Sequence, residues 1–195
     1  LLPNGTLSSI NQKSIDHYNR EFDLLIKNGI TPFVTLYHWD LPQKLHEQFG
    51  GWLNTTLITK AFGDYADLAF KSFGDRVKHW ITFNEALTFS VLGYGAGVHA
   101  PGRCTGCKPE GGNSSTEPYI VSHSQILSHA TAVNILRTKY ASQKGSIGMT
   151  MSCDWSEPFS DKPDDLEAAE RAMLFEFGWF ADPQLKFDYP QTMKD

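Results

Sequence analysis

Apolar residues recur at helical spacing four times along the chain. Ile15, Tyr18, Phe22, Leu25 and Ile26 predict a helix over 15–27, closed by Asn28-Gly29. Ile58, Phe62, Ala66, Ala69 and Phe73 predict a second over 58–73, ended by Gly74. Ile126, Ala130, Val133, Leu136 and Tyr140 predict a third over 126–140, stopped near Gly145. A fourth covers 166–179, and its acidic start (Asp164, Asp165, Glu167) suits the positive end of a helix dipole. Between these lie segments rich in β-branched and aromatic residues: 33–37 behind Pro32, then 79–83. In a last segment, 146–151, Ile147, Met149 and Met151 alternate. They predict buried strands.

Strands separated by helices imply parallel pairing and right-handed crossovers. The strand-to-helix connections, 39–54 and 85–117, are long, while the helix-to-strand ones at Gly29, Gly74 and Gly145 are short. A (β/α)8 barrel has this asymmetry, because loops at the C-terminal ends of its strands build the active site. Three strands do not close eight. The predicted fold class is therefore α/β, a fragment of a TIM barrel covering about three central β/α units, with residues 1–195 one partial domain. No Gly-x-Gly-x-x-Gly follows a strand, so the dinucleotide fold lacks its fingerprint.

Composition narrows the chemistry. Seventeen Lys and Arg against 22 Asp and Glu give a net charge of −5 with no basic run, a poor match to nucleic acid or an anionic membrane. No run of 18 apolar residues exists to form a membrane span. Asn4-Gly5-Thr6, Asn54-Thr55-Thr56 and Asn113-Ser114-Ser115 are glycosylation sequons, each in a turn-like segment. Cys104 and Cys107 form a Cys-x-x-Cys in a loop rich in Gly and Pro, where a thioredoxin pair would open a helix and a zinc site would need a second pair. A small-loop disulfide is the expectation, with two free thiols as the alternative. Together with the sequons it points to the secretory pathway, with an extracellular, vacuolar or lysosomal destination. Cys153, on the third strand, is expected to be buried and unpaired. No metal or cofactor is expected.

Each strand ends in polar groups: Tyr37-His38-Trp39-Asp40, Thr82-Phe83-Asn84-Glu85 and Ser152-Cys153-Asp154-Trp155. In a barrel they would meet at one mouth. Imidazole, carboxamide and an aromatic plate suit a polyol, which offers hydroxyls to the first two and C–H faces to the third. Taken singly, His38 or Glu85 also fits a satisfied buried polar residue.

Thr82-Phe83-Asn84-Glu85 resembles the acid/base motif of glycoside hydrolase family 1, the β-glucosidase family. The segment 32–42 (PFVTLYHWDLP) resembles the family's third-strand signature, and Gly51-Trp52-Leu53-Asn54, Phe73-Gly74-Asp75-Arg76-Val77, 99–104 (HAPGRC), Glu117-Pro118-Tyr119, and 178–183 (GWFADP) with Asp188-Tyr189-Pro190 resemble further runs of that family. The resemblance covers essentially the whole chain, in order. It implies that Glu85 is the general acid/base and that Asn84 binds the sugar 2-hydroxyl. His38, near the 3-hydroxyl, and Trp39 would line the glycone subsite, and the cysteines would match a loop disulfide of eukaryotic members. Ala86-Leu87 stands where many members have Pro-Trp, which leaves leaving-group preference open.

The family's nucleophile lies in a Glu-Asn-Gly motif, and this chain has none. Double displacement needs two carboxyl groups about 5–5.5 Å apart, so the 195 residues alone are expected to be inactive. The resemblance thus implies a parent retaining β-glycosidase, acting on terminal β-D-glucosyl residues of a small-molecule or oligosaccharide substrate. The alternative is a catalytically inactive member serving as a carbohydrate- or protein-binding module. A thioglucosidase would carry Gln at position 85, so Glu85 disfavours that activity.

Overall fold

The structure is a computed structural model and describes residues 1–109 and 111–194. Helix α1 (Gln12–Lys27) leads to β1 (Phe33–Tyr37), a short α2 (Gln43–Phe49), α3 (Thr55–Phe73) and β2 (His79–Phe83). Helices α4 (Ala86–Tyr94) and α5 (Glu117–Lys139) follow, then β3 (Ser146–Gly148) and α6 (Pro163–Met173). A π-helical turn over Leu174–Gly178 joins α6 to α7 (Trp179–Leu185).

The three strands form one sheet in the order β1-β2-β3, parallel throughout. Phe33 pairs with His79 and His79 with Ser146, so the strands start level. The expected parallel sheet is therefore observed, although β3 is three residues long rather than six. Beyond Gly148 the backbone still bonds: Thr150 N–H donates to Phe83 O (3.0 Å) and Glu85 N–H to Thr150 O (3.1 Å).

Asparagines begin two of the helices. Asn11 Oδ1 accepts from Ser14 N–H at the start of α1, and Asn54 Oδ1 from Leu57 N–H at the start of α3. Gly29, at φ +72°, turns the chain out of α1 in a conformation that side chains rarely adopt.

The core lies between the sheet and the helices. Trp52, 1% exposed, donates its indole N–H to Tyr37 Oη (3.0 Å) and packs edge-on against Tyr37 and Phe83. Phe62 of α3 stacks on Phe83, centroids 4.6 Å apart. At the start of the strands Phe33 stacks on His79 at 4.3 Å, and Phe33 is 66% exposed.

The sequence expectation needs four corrections. Both long connections contain a helix, α2 in the first and α4 in the second. α5 begins at Glu117, nine residues before the predicted start. The predicted helix over 166–179 is α6 running into the π turn. Cys153 is exposed, because the strand ends five residues earlier and leaves it in a coil segment.

Candidate active site

The mouth of the sheet is built on two strand ends. β1 delivers His38 and Trp39, and β2 delivers Asn84 and Glu85, one and two residues past its last paired position. Asn84 N–H donates to Tyr37 O (3.0 Å), which keeps the two chains in register into the loops. Asn84 Nδ2 donates to His38 Nε2 (3.1 Å), so the ring proton of that imidazole sits on Nδ1. This leaves Asn84 Oδ1 free to accept from a ligand hydroxyl.

Two residues here have left-handed backbones without being glycine: Trp39 (φ +75°) and Glu85 (φ +44°, ψ +62°). Such conformations cost of order 1–3 kcal/mol and persist where surrounding bonds over-determine them. Those bonds are present. Trp39 Nε1–H donates to Asn84 O (2.8 Å), the carbonyl of the peptide entering Glu85. Glu85 N–H donates to Thr150 O, and Glu85 O accepts from Phe89 N–H (3.0 Å) as α4 begins. The Trp39 ring lies between His38 and His99, with centroid separations of 5.5 and 5.2 Å. His38 is exposed, while Trp39, Asn84 and Glu85 are half-buried, so all four border solvent at one end of the sheet.

Behind the mouth, Tyr37 and Tyr94 are held protonated, because burial pushes both phenols well above their usual range. Thr82 Oγ1 lies 2.8 Å from His129 Nδ1 and 3.2 Å from Gly148 O. His129 is 8% exposed, and burial lowers its pKa to about 4, with the Arg137 charge a second cause.

Other predicted residues lie elsewhere. Cys104 and Cys107 are joined in the loop between α4 and α5, Cα atoms 5.1 Å apart. Asn4 and Asn113 are exposed and Asn54 is half-buried. Arg103 in the same loop makes two bonds to the Glu117 carboxylate, at 2.8 and 2.7 Å. Asp154 follows β3 at the same end of the sheet as Trp39 and Glu85, and its N–H donates to Glu176 Oε2 (2.8 Å). Among the described residues no group of three or more His, Cys, Asp or Glu could hold a metal ion, and no helix is long and apolar enough to cross a membrane.

The sequence model of glycosyl hydrolase family 1 matches residues 1–195. The chain belongs to glycosyl hydrolase family 1. Within the family it is 53% identical over 200 residues to β-glucosidase 40 of Arabidopsis thaliana, with 100% of this chain and 38% of that protein covered. It is 49% identical to a myrosinase of Brassica napus over 201 residues, covering 100% of this chain and 36% of that one. A rice β-glucosidase structure superimposes with a TM-score of 0.95 at 52% identity, covering 98% of this chain and 41% of that one. A β-glucosidase from the fungus Humicola insolens in complex with glucose gives 0.95 at 42%, with 99% and 41% covered. The chain thus spans about two-fifths of the length of these family members, and its three-stranded sheet is part of the family's (β/α)8 barrel.

Sequence reasoning missed three contributors to the site. Thr150 carries no chemical signal, since it acts through its carbonyl. His99 and His129 lie outside strand-end motifs. Only the His-Ala-Pro-Gly-Arg run, already matched to the family, pointed near the first.

Proposed function

We propose that the protein carrying these residues is a retaining β-glucosidase and that Glu85 is its general acid/base. The observation that carries this reading is the constellation at the mouth. A carboxyl is fixed on a left-handed backbone beside an Asn84–His38 pair, with one carboxamide oxygen left for a sugar hydroxyl. In the first step the nucleophilic carboxylate, supplied by residues outside this chain, attacks C1 of the glucoside. Glu85 protonates the departing glycosidic oxygen as the C1–O bond breaks. In the second step the Glu85 carboxylate takes a proton from water, whose oxygen attacks C1 and returns the nucleophile. Asn84 would bind the 2-hydroxyl, His38 the 3-hydroxyl, and Trp39 would present its ring to the sugar's C–H face. One of the named relatives is a myrosinase, and Glu85 favours O-glucosides over thioglucosides.

The Cys104–Cys107 bridge and the three sequons support a secreted or vacuolar glycoprotein. Asn54 keeps its Nδ2 available, because its cap uses Oδ1.

The test is a leaving-group split in the full-length enzyme. Glu85→Gln is expected to abolish cleavage of alkyl β-glucosides while sparing the first step for 2,4-dinitrophenyl β-glucoside, whose leaving group needs no proton. Equal losses on both would count against the assignment.

A further inference from the structure

Helix α5 buries a row of polar side chains, including Ser122, Ser124, Gln125, Ser128 and His129. A helix packed against a sheet normally turns apolar residues inward and polar ones outward. Buried polar groups usually persist where they are bonded; Ser122 Oγ and Gln125 Oε1 have no hydrogen-bond partner, but the other polar groups of the row have specific ones. Ser124 and Ser128 reach Thr55 and Thr59 of α3, at 2.9 and 3.4 Å.

Gln125 and His129, four residues apart and so on one face of α5, grip the strand-to-helix turn on either side of Glu85. Ahead of it, His129 Nδ1–H donates to Thr82 Oγ1 (2.8 Å), and the Thr82 hydroxyl donates to Gly148 O of β3 (3.2 Å). Behind it, Gln125 Nε2 donates to Ser90 Oγ (2.8 Å) and to Ala86 O (3.3 Å), and Ser90 Oγ–H donates to Ala86 O (2.8 Å). Ala86 is the first residue of α4 and follows Glu85 directly.

We propose that Gln125 and His129 are positioning residues, which hold the left-handed turn at Glu85 and so aim its carboxyl at the glycosidic oxygen. Neither side chain touches the mouth. Gln125 is fully buried, and His129 contacts the back of β2. Glu85 lies between the Thr82 side chain and the Ala86 carbonyl, each held from α5, in a conformation costing of order 1–3 kcal/mol, so release of either hold lets the turn relax. A misplacement of about 1 Å costs of order 100-fold in rate. The depressed pKa of His129 keeps its ring neutral, so the clamp holds without a buried charge. The inference rests on Glu85 being the acid/base.

The test compares Gln125→Leu, His129→Leu, His129→Asn and Ser90→Ala with Glu85→Gln in the full-length enzyme, on an alkyl β-glucoside and 2,4-dinitrophenyl β-glucoside. A mispositioned acid fails where a proton is needed. Gln125→Leu is expected to lower kcat on the alkyl substrate at least tenfold more than on the dinitrophenyl one, with KM within about threefold. His129→Leu should show the same split, and His129→Asn, which keeps a donor near the Nδ1 position, should recover most of the activity that His129→Leu loses. Equal losses on both substrates, or none, overturn the proposal, because a purely structural residue does not distinguish leaving groups. If Gln125→Leu does not fold, the same ratio is read from Ser90→Ala, which removes one hydroxyl, and an unchanged ratio there overturns it. If Glu85→Gln shows the split and the leucine variants of α5 do not, this inference fails and the proposed function stands. If Glu85→Gln shows no split, both fall.

Discussion

The indole N–H of Trp39 donates to the main-chain carbonyl of Asn84 at 2.8 Å. It ties the end of β1 to the peptide that enters Glu85, and both Trp39 and Glu85 hold left-handed backbones around it. The ring is placed by this bond as much as by its contacts with His38 and His99.

Trp39→Phe keeps the aromatic plate and removes the donor. The partly buried Asn84 carbonyl then lacks a partner, which costs about 1–3 kcal/mol. Urea unfolding of the full-length protein should show a lower midpoint at unchanged slope. An unchanged midpoint would mean that the bond contributes nothing.

The 95–116 loop depends on the Arg103–Glu117 pair. Both side chains are mostly buried, at 20% and 11% exposure, and the contact is bidentate. Neutralising Glu117 takes the charge out of both of these bonds, and Glu117→Gln should destabilise by about 1.5–3 kcal/mol. Arg103→Lys should not substitute, because a point charge cannot make the fork. A loss under about 1 kcal/mol, the level of an exposed pair, would contradict this.

His129 ties stability to pH. Its pKa is about 4 in the folded chain and about 6.5 unfolded. Between those values the unfolded chain binds more protons, so the contribution is complete above about pH 6.5 and is lost as pH falls toward 4. A gap of this size corresponds to about 3 kcal/mol. Other carboxylates titrate in the same window, so the reading is the difference in unfolding free energy between wild type and His129→Asn. That difference should shrink by roughly 2–3 kcal/mol from pH 7 to pH 4.5. A constant difference would show that His129 is not buried neutral.

Cys104 and Cys107 lie three residues apart in sequence with Cα atoms 5.1 Å apart. After denaturation without reductant, alkylation followed by peptide mass measurement should leave both unlabelled, and reduction should expose two sites. Two labels without reductant would mean free thiols. The bridge closes a loop of four residues, so replacing both with Ser should cost no more than about 2 kcal/mol.

β1 and β2 were legible because 33–37 and 79–83 are short runs rich in β-branched and aromatic residues. α4 was not. Its sequence, ALTFSVLGY, is almost wholly apolar, so no face alternates, and it follows a strand with no intervening break. The start of α5 escaped for the opposite reason. Ser122, Ser124 and Gln125 face the core, so the apolar period begins only at Ile126, a full two turns into the helix. β3 ends at Gly148 although Met149 and Met151 keep the alternation, because only Thr150 continues the backbone bonding. The loss of that strand is what exposes Cys153. At the mouth, His38, Trp39, Asn84 and Glu85 were legible as polar and aromatic residues after strands. Their left-handed backbones were not, since neither Trp39 nor Glu85 is a residue type that announces one.

The central claim is that Glu85 supplies and removes the proton. Glu85→Gly in the full-length enzyme, given 2,4-dinitrophenyl β-glucoside, should form the glycosyl-enzyme and stall, because no base activates water. Added azide needs no base, so turnover should rise at least tenfold. The product, identified by NMR, should be β-glucosyl azide with retained anomeric configuration. Turnover unaffected by azide, or α-glucosyl azide as the product, would contradict the assignment of Glu85.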